Sequence, residues 1–174
     1  MRSFATLGGG WLCEVFLDSV RIPVGNVVGE LNEGWGVLMS TLDFERITAE
    51  KLGGVTWVLD RLEERVGRGP RLEALRGELS AARLLSFRAA DAIDRGLPAS
   101  HLSAMAKLAG ARVVQKTGDA AVDLLGLDGL AEGIDAPLQG RAAALYRASV
   151  GATIAGGAAE IQQLVIARRG LGLR

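Results

Sequence analysis

Trp35, Leu38, Met39 and Leu42 recur at the spacing of one helix face, and the pattern resumes at Val55, Val58, Leu59, Leu62 and Val66. This periodicity predicts one long helix from Glu33 to about Arg68, with Trp35 and Trp57 filling a core. Between the two stripes sits Leu42-Asp43-Phe44-Glu45-Arg46. A carboxylate and a guanidinium so close to a buried stripe need a partner or a job, because an unpaired buried charge is costly. Glu45 therefore has two readings: a solvated group paired with Arg46, or a working group in a site. Gly53 and Gly54 interrupt the same pattern. Each weakens a helix interior by about 1 kcal/mol. Close approach of another helix would be one compensation.

The rest of the chain reads as more helices with a short extended start. Gly8-Gly9-Gly10 is a turn, since three glycines hold no regular element well. Trp11 to Leu17 is rich in strand formers, and Val20-Arg21-Ile22-Pro23 reads as a second extended piece, limited to an edge by Pro23. Two strands alone make no stable sheet, so residues 1–30 look like the end of a β domain. Pro70 suits the first turn of a helix to about Arg95, with a seam of Leu72, Leu75, Leu79, Ala82 and Ala89 widened by Leu84, Leu85 and Ile93. Ser100 is the expected N-cap of a helix from His101 to Leu125, striped by Leu102, Met105, Ala109, Val113 and Leu124. Asp135 is the expected cap of a helix over about 138–154, which Ala155-Gly156-Gly157 breaks before a last helix carrying Ile161, Leu164 and Val165. Antiparallel helices on short loops make an up-and-down bundle. The expected fold is thus mainly α, a bundle of about five helices over 31–174 with a two-stranded N-terminal appendage.

Several function classes are excluded by content. The 20 basic and 20 acidic residues balance, which argues against nucleic acid as a partner. The most apolar stretch, about 142–167, is interrupted by Arg147, Glu160 and two glutamines, so no membrane span is expected. Cys13 is the one cysteine, which fits a reducing, cytoplasmic setting, and residues 1–10 lack the apolar segment of a signal peptide. Cys13 has no activating neighbour and reads as packing. His101 is the one histidine and sits at a predicted helix start, where an inert exposed side chain is the simpler reading. No Cys/His cluster has metal-ligand spacing. Gly156-Gly157 offers bare amides that could donate to an anion or a carbonyl.

Three separated runs carry a family resemblance. The segment from Glu14 to Pro23, followed by Asn26-Val27-Val28-Gly29-Glu30 and Glu33-Gly34-Trp35, resembles the end of the middle β domain of the acyl-CoA dehydrogenases. Thr41 to Arg46 resembles the start of their C-terminal helical domain, and Ala158 to Arg169 resembles their C-terminal signature. The resemblance implies α,β-desaturation of an acyl-CoA thioester. A glutamate takes the α proton, FAD takes the β hydride, and an electron-transfer flavoprotein accepts the electrons. It also implies association through the bundle, as a homo- or hetero-oligomer.

The departures sharpen the expectation. Many family members carry the base in a Tyr-Glu-Gly-Thr segment, which here reads Ala155-Gly156-Gly157-Ala158, so Gly156 stands where the carboxylate would be. Either that site is dead or the base has moved. The isovaleryl-type and long-chain branches carry their glutamate directly before the arginine of the first helix, the position of Glu45, which is therefore the expected base. Asp43, Phe44, Arg46, Gly156 and Gly157 are then the expected substrate-side residues. The family's Gln-x-x-Gly-Gly-x-Gly flavin loop appears as Asp123 to Gly129, with Asp123 for the Gln and Leu127 for the second Gly beside Gly126. Ala158 and Glu160 occupy further flavin positions, Glu160 as a poor match for a diphosphate, and an Arg-x-x-Phe-Gly segment is not evident. Such losses resemble members that assemble as heteromers. The family's N-terminal domain and most of its β domain have no counterpart here. A fragment or half of a split enzyme, inactive by itself, is the expectation. A non-catalytic assembly subunit is the alternative.

Overall fold

The computed structural model describes residues 1–47 and 52–174. Strands β1 (Arg2–Ala5) and β2 (Trp11–Glu14) pair antiparallel, with Arg2 opposite Glu14 and Ala5 opposite Trp11. Thr6 N donates to Gly10 O at 2.8 Å, and Gly9 takes φ +83°, which lets the chain reverse there. The glycine run therefore pairs Trp11–Glu14 with the segment before it. The expected extended piece at Val20–Pro23 is not a strand. Cys13 is exposed rather than packed.

Helix α1 spans Gly34–Glu45 and α2 spans Leu52–Val66. The single long helix expected from periodicity is thus two. Arg46 ends α1, its N–H shared between the carbonyls of Leu42 and Phe44. Among the described residues none of α1 is buried short of its C-cap, Arg46, and Trp35 is 73 % exposed, so the Trp35 end of its apolar stripe is uncovered. Trp57 is half-buried at the edge of the core, with the Arg141 guanidinium 4.7 Å above its ring. Gly53 and Gly54 do not mark a helix crossing, since a Cβ added at either meets nothing within 4 Å.

Helices α3 (Pro70–Asp94) and α4 (Ser100–Leu125) run close to the expected bounds. Leu72, Leu75, Leu79, Ala82 and Ala89 are buried as the seam predicts, whereas Leu84 points to solvent. Ser100 does not cap α4; Ala99 holds that position, and the Ser100 hydroxyl is used elsewhere. Helix α5 begins only at Arg141 and ends at Ala152, because Leu138, Gln139 and Gly140 all take positive φ. Asp135 makes no side-chain cap there. Helix α6 (Ala159–Val165) runs into a π turn over Ile166–Gly170.

Helix α4 packs against α1, α2, α3, α5 and α6 and is the axis of the bundle. Its small residues permit this. A Cβ on Gly118 would stand 2.9 Å from Tyr146 Cα of α5. The main core joins α2, α3, α4 and α5 through Leu52, Leu59, Leu62, Leu75, Val113 and Ala142. A smaller cluster of Ala89, Ala92, Ala99 and Leu102 lies where α3 turns into α4, with Ile47 against it. The hairpin stays outside both. It touches α5 through Arg147 Nε, which donates to Leu7 O at 3.1 Å, and through Gly8, close against Ala148. Among the described residues no helix is long and apolar enough to cross a membrane.

Candidate active site

The end of α1, the middle of α4 and the turn between α5 and α6 meet at one corner. Arg46 is only 7 % exposed. Its Nη1 lies 3.2 Å from Asp43 Oδ1, and its Nε donates to Gly156 O at 3.3 Å. Asp43 is held from its other oxygen by the Ser100 hydroxyl at 2.5 Å, and Arg169 donates to that same hydroxyl at 3.3 Å. Both Asp43 oxygens are thus engaged in hydrogen bonds.

Lys107 and Gln162 complete the corner, and the sequence reading missed both. Lys107 is 4 % exposed, and its Nζ donates to Gly157 O at 2.6 Å and Thr153 O at 3.3 Å. Burial pushes its ammonium below the usual lysine range; the Arg46 charge adds to this, and Glu160 opposes it. Gln162 is fully buried and donates from Nε2 to Gly156 O at 3.1 Å and Gly157 O at 3.3 Å. The one available signal was a lone lysine within the small, apolar face of α4. Gly156 and Gly157 take φ of +68° and +103°, a backbone region that L side chains rarely adopt. That requirement explains a glycine pair at this turn.

A cavity of about 280 Å³ opens beside the corner. Glu45, Arg46, Lys107 and Gly156 supply its polar wall; Val55, Val114, Leu145, Ala148 and Ala155 are among its aliphatic residues. Glu45 itself is exposed, at the end of α1. Among the described residues no backbone hydrogen bond uses the Gly156 N–H, so that donor remains for a guest. Phe44 is exposed and does not line the cavity. A larger groove of about 800 Å³ runs between the hairpin and α5, walled by Leu7, Leu12, Val150 and Ile154, and it shares Ala148 and Ala155 with the cavity.

The expected flavin residues fall in two places. Ala158 precedes α6, and Glu160 lies exposed in its first turn, close to the corner. Asp123, Gly126 and Leu127 lie at the far end of α4, about 24 Å from Lys107 at 1.5 Å per residue. There Asp123 is paired with Arg71 at 2.9 Å, Asp128 with Arg65 at 4.0 Å, and the Leu127 side chain is 88 % exposed. Among the described residues no three His, Cys, Asp or Glu side chains are grouped to hold a metal.

The fold is a helical bundle with a largely aliphatic cavity under a glycine corner. The family model "Acyl-CoA dehydrogenase, C-terminal domain" matches residues 32–171. The chain belongs to the acyl-CoA dehydrogenase family. It is 30% identical over 176 residues to cyclohexane-1-carbonyl-CoA dehydrogenase of Geobacter metallireducens, an alignment covering 92% of this chain and 45% of that one. It is 33% identical over 169 residues to the mitochondrial short-chain specific acyl-CoA dehydrogenase of Rattus norvegicus, covering 88% and 40%. The solved Tcur3481-Tcur3483 steroid ACAD matches with a TM-score of 0.86 at 26% identity, over 99% of this chain and 48% of that one. The chain thus spans less than half the length of the relatives it matches.

The cofactor of this family is FAD. The residues present fit it unevenly. The groove between the hairpin and α5, which reaches Ala155, has the volume for a ring system. The loop at 123–128 does not fit a diphosphate: it presents two carboxylates, each already paired with an arginine.

Proposed function

We propose that this chain supplies the proton-abstracting part of an acyl-CoA dehydrogenase, with Glu45 as the base. The observation that carries the reading is that Glu45 and Gly156 line one small, largely aliphatic cavity. An acyl thioester seated there has its α carbon near a carboxylate and its carbonyl near an unused N–H. Arg46 and Lys107 place two positive charges at the same wall, favouring negative charge developing on the thioester oxygen. Asp43 acts through Arg46, and Gly157 acts through the shape of the turn. When bound, the flavin supplies the hydride acceptor. An electron-transfer flavoprotein is the corresponding electron partner. The groove between the hairpin and α5 is where a flavin ring would lie, and the diphosphate would be held by another chain or another part of a longer one.

The test is exchange of the acyl-CoA α proton with deuterium in heavy water, using the enzyme reconstituted with its flavin-bearing part. Glu45→Gln should slow exchange by at least about a hundredfold, the lower range for a positioned general base, with flavin still bound. Exchange at the wild-type rate would refute Glu45 as base.

A second reading is a non-catalytic assembly subunit that completes a partner's site. The poor fit of Asp123 and Asp128 to a diphosphate favours it, as does the solved relative that joins two chains, Tcur3481 and Tcur3483. Under it, the chain co-purifies with a second dehydrogenase chain carrying an intact Tyr-Glu-Gly segment, and Glu45→Gln leaves turnover of that complex unchanged.

A further inference from the structure

Two consecutive carbonyls at the α5–α6 turn are claimed by three side chains from three separate elements. Arg46, closing α1, and Gln162, in α6, both donate to Gly156 O. Lys107, in α4, donates to Gly157 O, and Gln162 donates there too. Lys107 also holds Thr153 O, the exposed end of the α5 carbonyl ladder, where a cation is favoured by the helix dipole. Among the described residues Lys107 makes no ion pair with a carboxylate. A buried ammonium whose partners among the described residues are backbone carbonyls is a costly choice where an aliphatic side chain would pack.

Glycine is the least restrained residue, and this turn has two in succession. Left to itself the turn would sample many orientations of the Gly156 N–H. The clamp removes that freedom from both sides: Thr153 is fixed before the amide and the Gly156 carbonyl is fixed after it.

We infer that Lys107 and Gln162 are positioning residues that hold the side-chain-free Gly156–Gly157 turn so that the Gly156 N–H faces the cavity beside Glu45. The clamp does what packing of a larger side chain would do in a less flexible turn. The inference rests on the proposed function for what the amide meets, but not for whether the amide is held.

The experiment uses the full chain with Lys107→Met, Lys107→Arg and Gln162→Leu. The first readout is amide hydrogen exchange. Gly157 and Ala159, whose N–H groups donate to Ile154 O and Thr153 O, should exchange at least about tenfold faster in Lys107→Met, with α3 unchanged. Lys107→Arg should recover part of that protection. Gln162→Leu should give the same local signature, which keeps the inference testable if Lys107→Met fails to fold. Exchange at 157 and 159 within twofold of wild type, or loss of protection spread evenly over α3, α4 and α5, would overturn it. The second readout is the carbonyl stretch of butyryl-CoA labelled with carbon-13 at the thioester. Wild type should lower it relative to free solution, and Lys107→Met should abolish that lowering. A full lowering retained in Lys107→Met would also overturn the inference. If wild type itself gives no lowering while the exchange results hold, the clamp stands and the acyl-CoA reading of the cavity fails.

Discussion

The crossing of α4 and α5 can be tested with one methyl group. An alanine Cβ at Gly118 would stand 2.9 Å from Tyr146 Cα, 3.1 Å from Tyr146 N and 3.3 Å from the Leu145 carbonyl carbon. Carbon pairs settle at about 3.5–4.0 Å, so α5 must withdraw by roughly 0.6 Å or more. All three neighbours are backbone, so no rotamer change can absorb the intrusion. Overpacking of this kind costs about 1–3 kcal/mol. Replacing a mid-helix glycine by alanine returns about 1 kcal/mol. Gly118→Ala should therefore destabilise by up to about 2 kcal/mol. For a chain of this length that lowers Tm by up to about 8 °C. Gly77 is the internal control: it lies in α3, and an added Cβ meets nothing within 4 Å. Gly77→Ala should raise stability by up to about 1 kcal/mol. Thermal and urea unfolding followed by circular dichroism reads both. A Gly118→Ala chain that gains stability as Gly77→Ala does would refute the argument that this crossing depends on a missing side chain. The withdrawal has a local consequence as well, since α5 carries Ala148 and Ala152 of the cavity and leads directly to Gly156.

Two further outcomes follow from geometry on the same helices. Gly157→Ala places a Cβ against the Gln162 amide in a backbone conformation of φ +103°. It should destabilise the chain and, in exchange measurements, expose the α5–α6 turn before any other part. The Glu63 carboxyl is held below its ordinary range, chiefly by the hydrogen bond from Arg76; burial opposes this, and the Arg76 and Arg68 charges add to the lowering. A carboxyl lowered in the folded state stabilises above its unfolded pKa, and that contribution is lost as pH falls through the folded one. Arg76→Met should accordingly cost stability at neutral pH, and the gap to wild type should narrow in acid below the ordinary carboxylate range and in high salt. A gap that widens in acid would contradict the pairing.

The long elements were legible because their information is local. The Leu72, Leu75, Leu79 and Ala82 period names the buried face of α3 whatever packs on it. The break after Glu45 was not legible, because apolar spacing continues through it. What marks the end of α1 is Arg46 turning toward Asp43 and Gly156, a contact across 110 positions of sequence. Trp35 shows the converse failure: its stripe is a sound helix face, but burial needs a second surface, and none stands opposite it. At the site, the paired glycines were visible as a helix break and Glu45 as a misplaced acid. Their meeting in one cavity depends on α4 passing beneath both, which no spacing within either segment encodes.

Ala148 and Ala155 form part of the lining of both the cavity and the broad groove under the hairpin. The two compartments therefore adjoin at these two small residues. A guest on one side and a guest on the other would meet the same two residues. Enlarging either alanine would thicken the partition. Any effect of one guest on the affinity of the other would be equal in both directions.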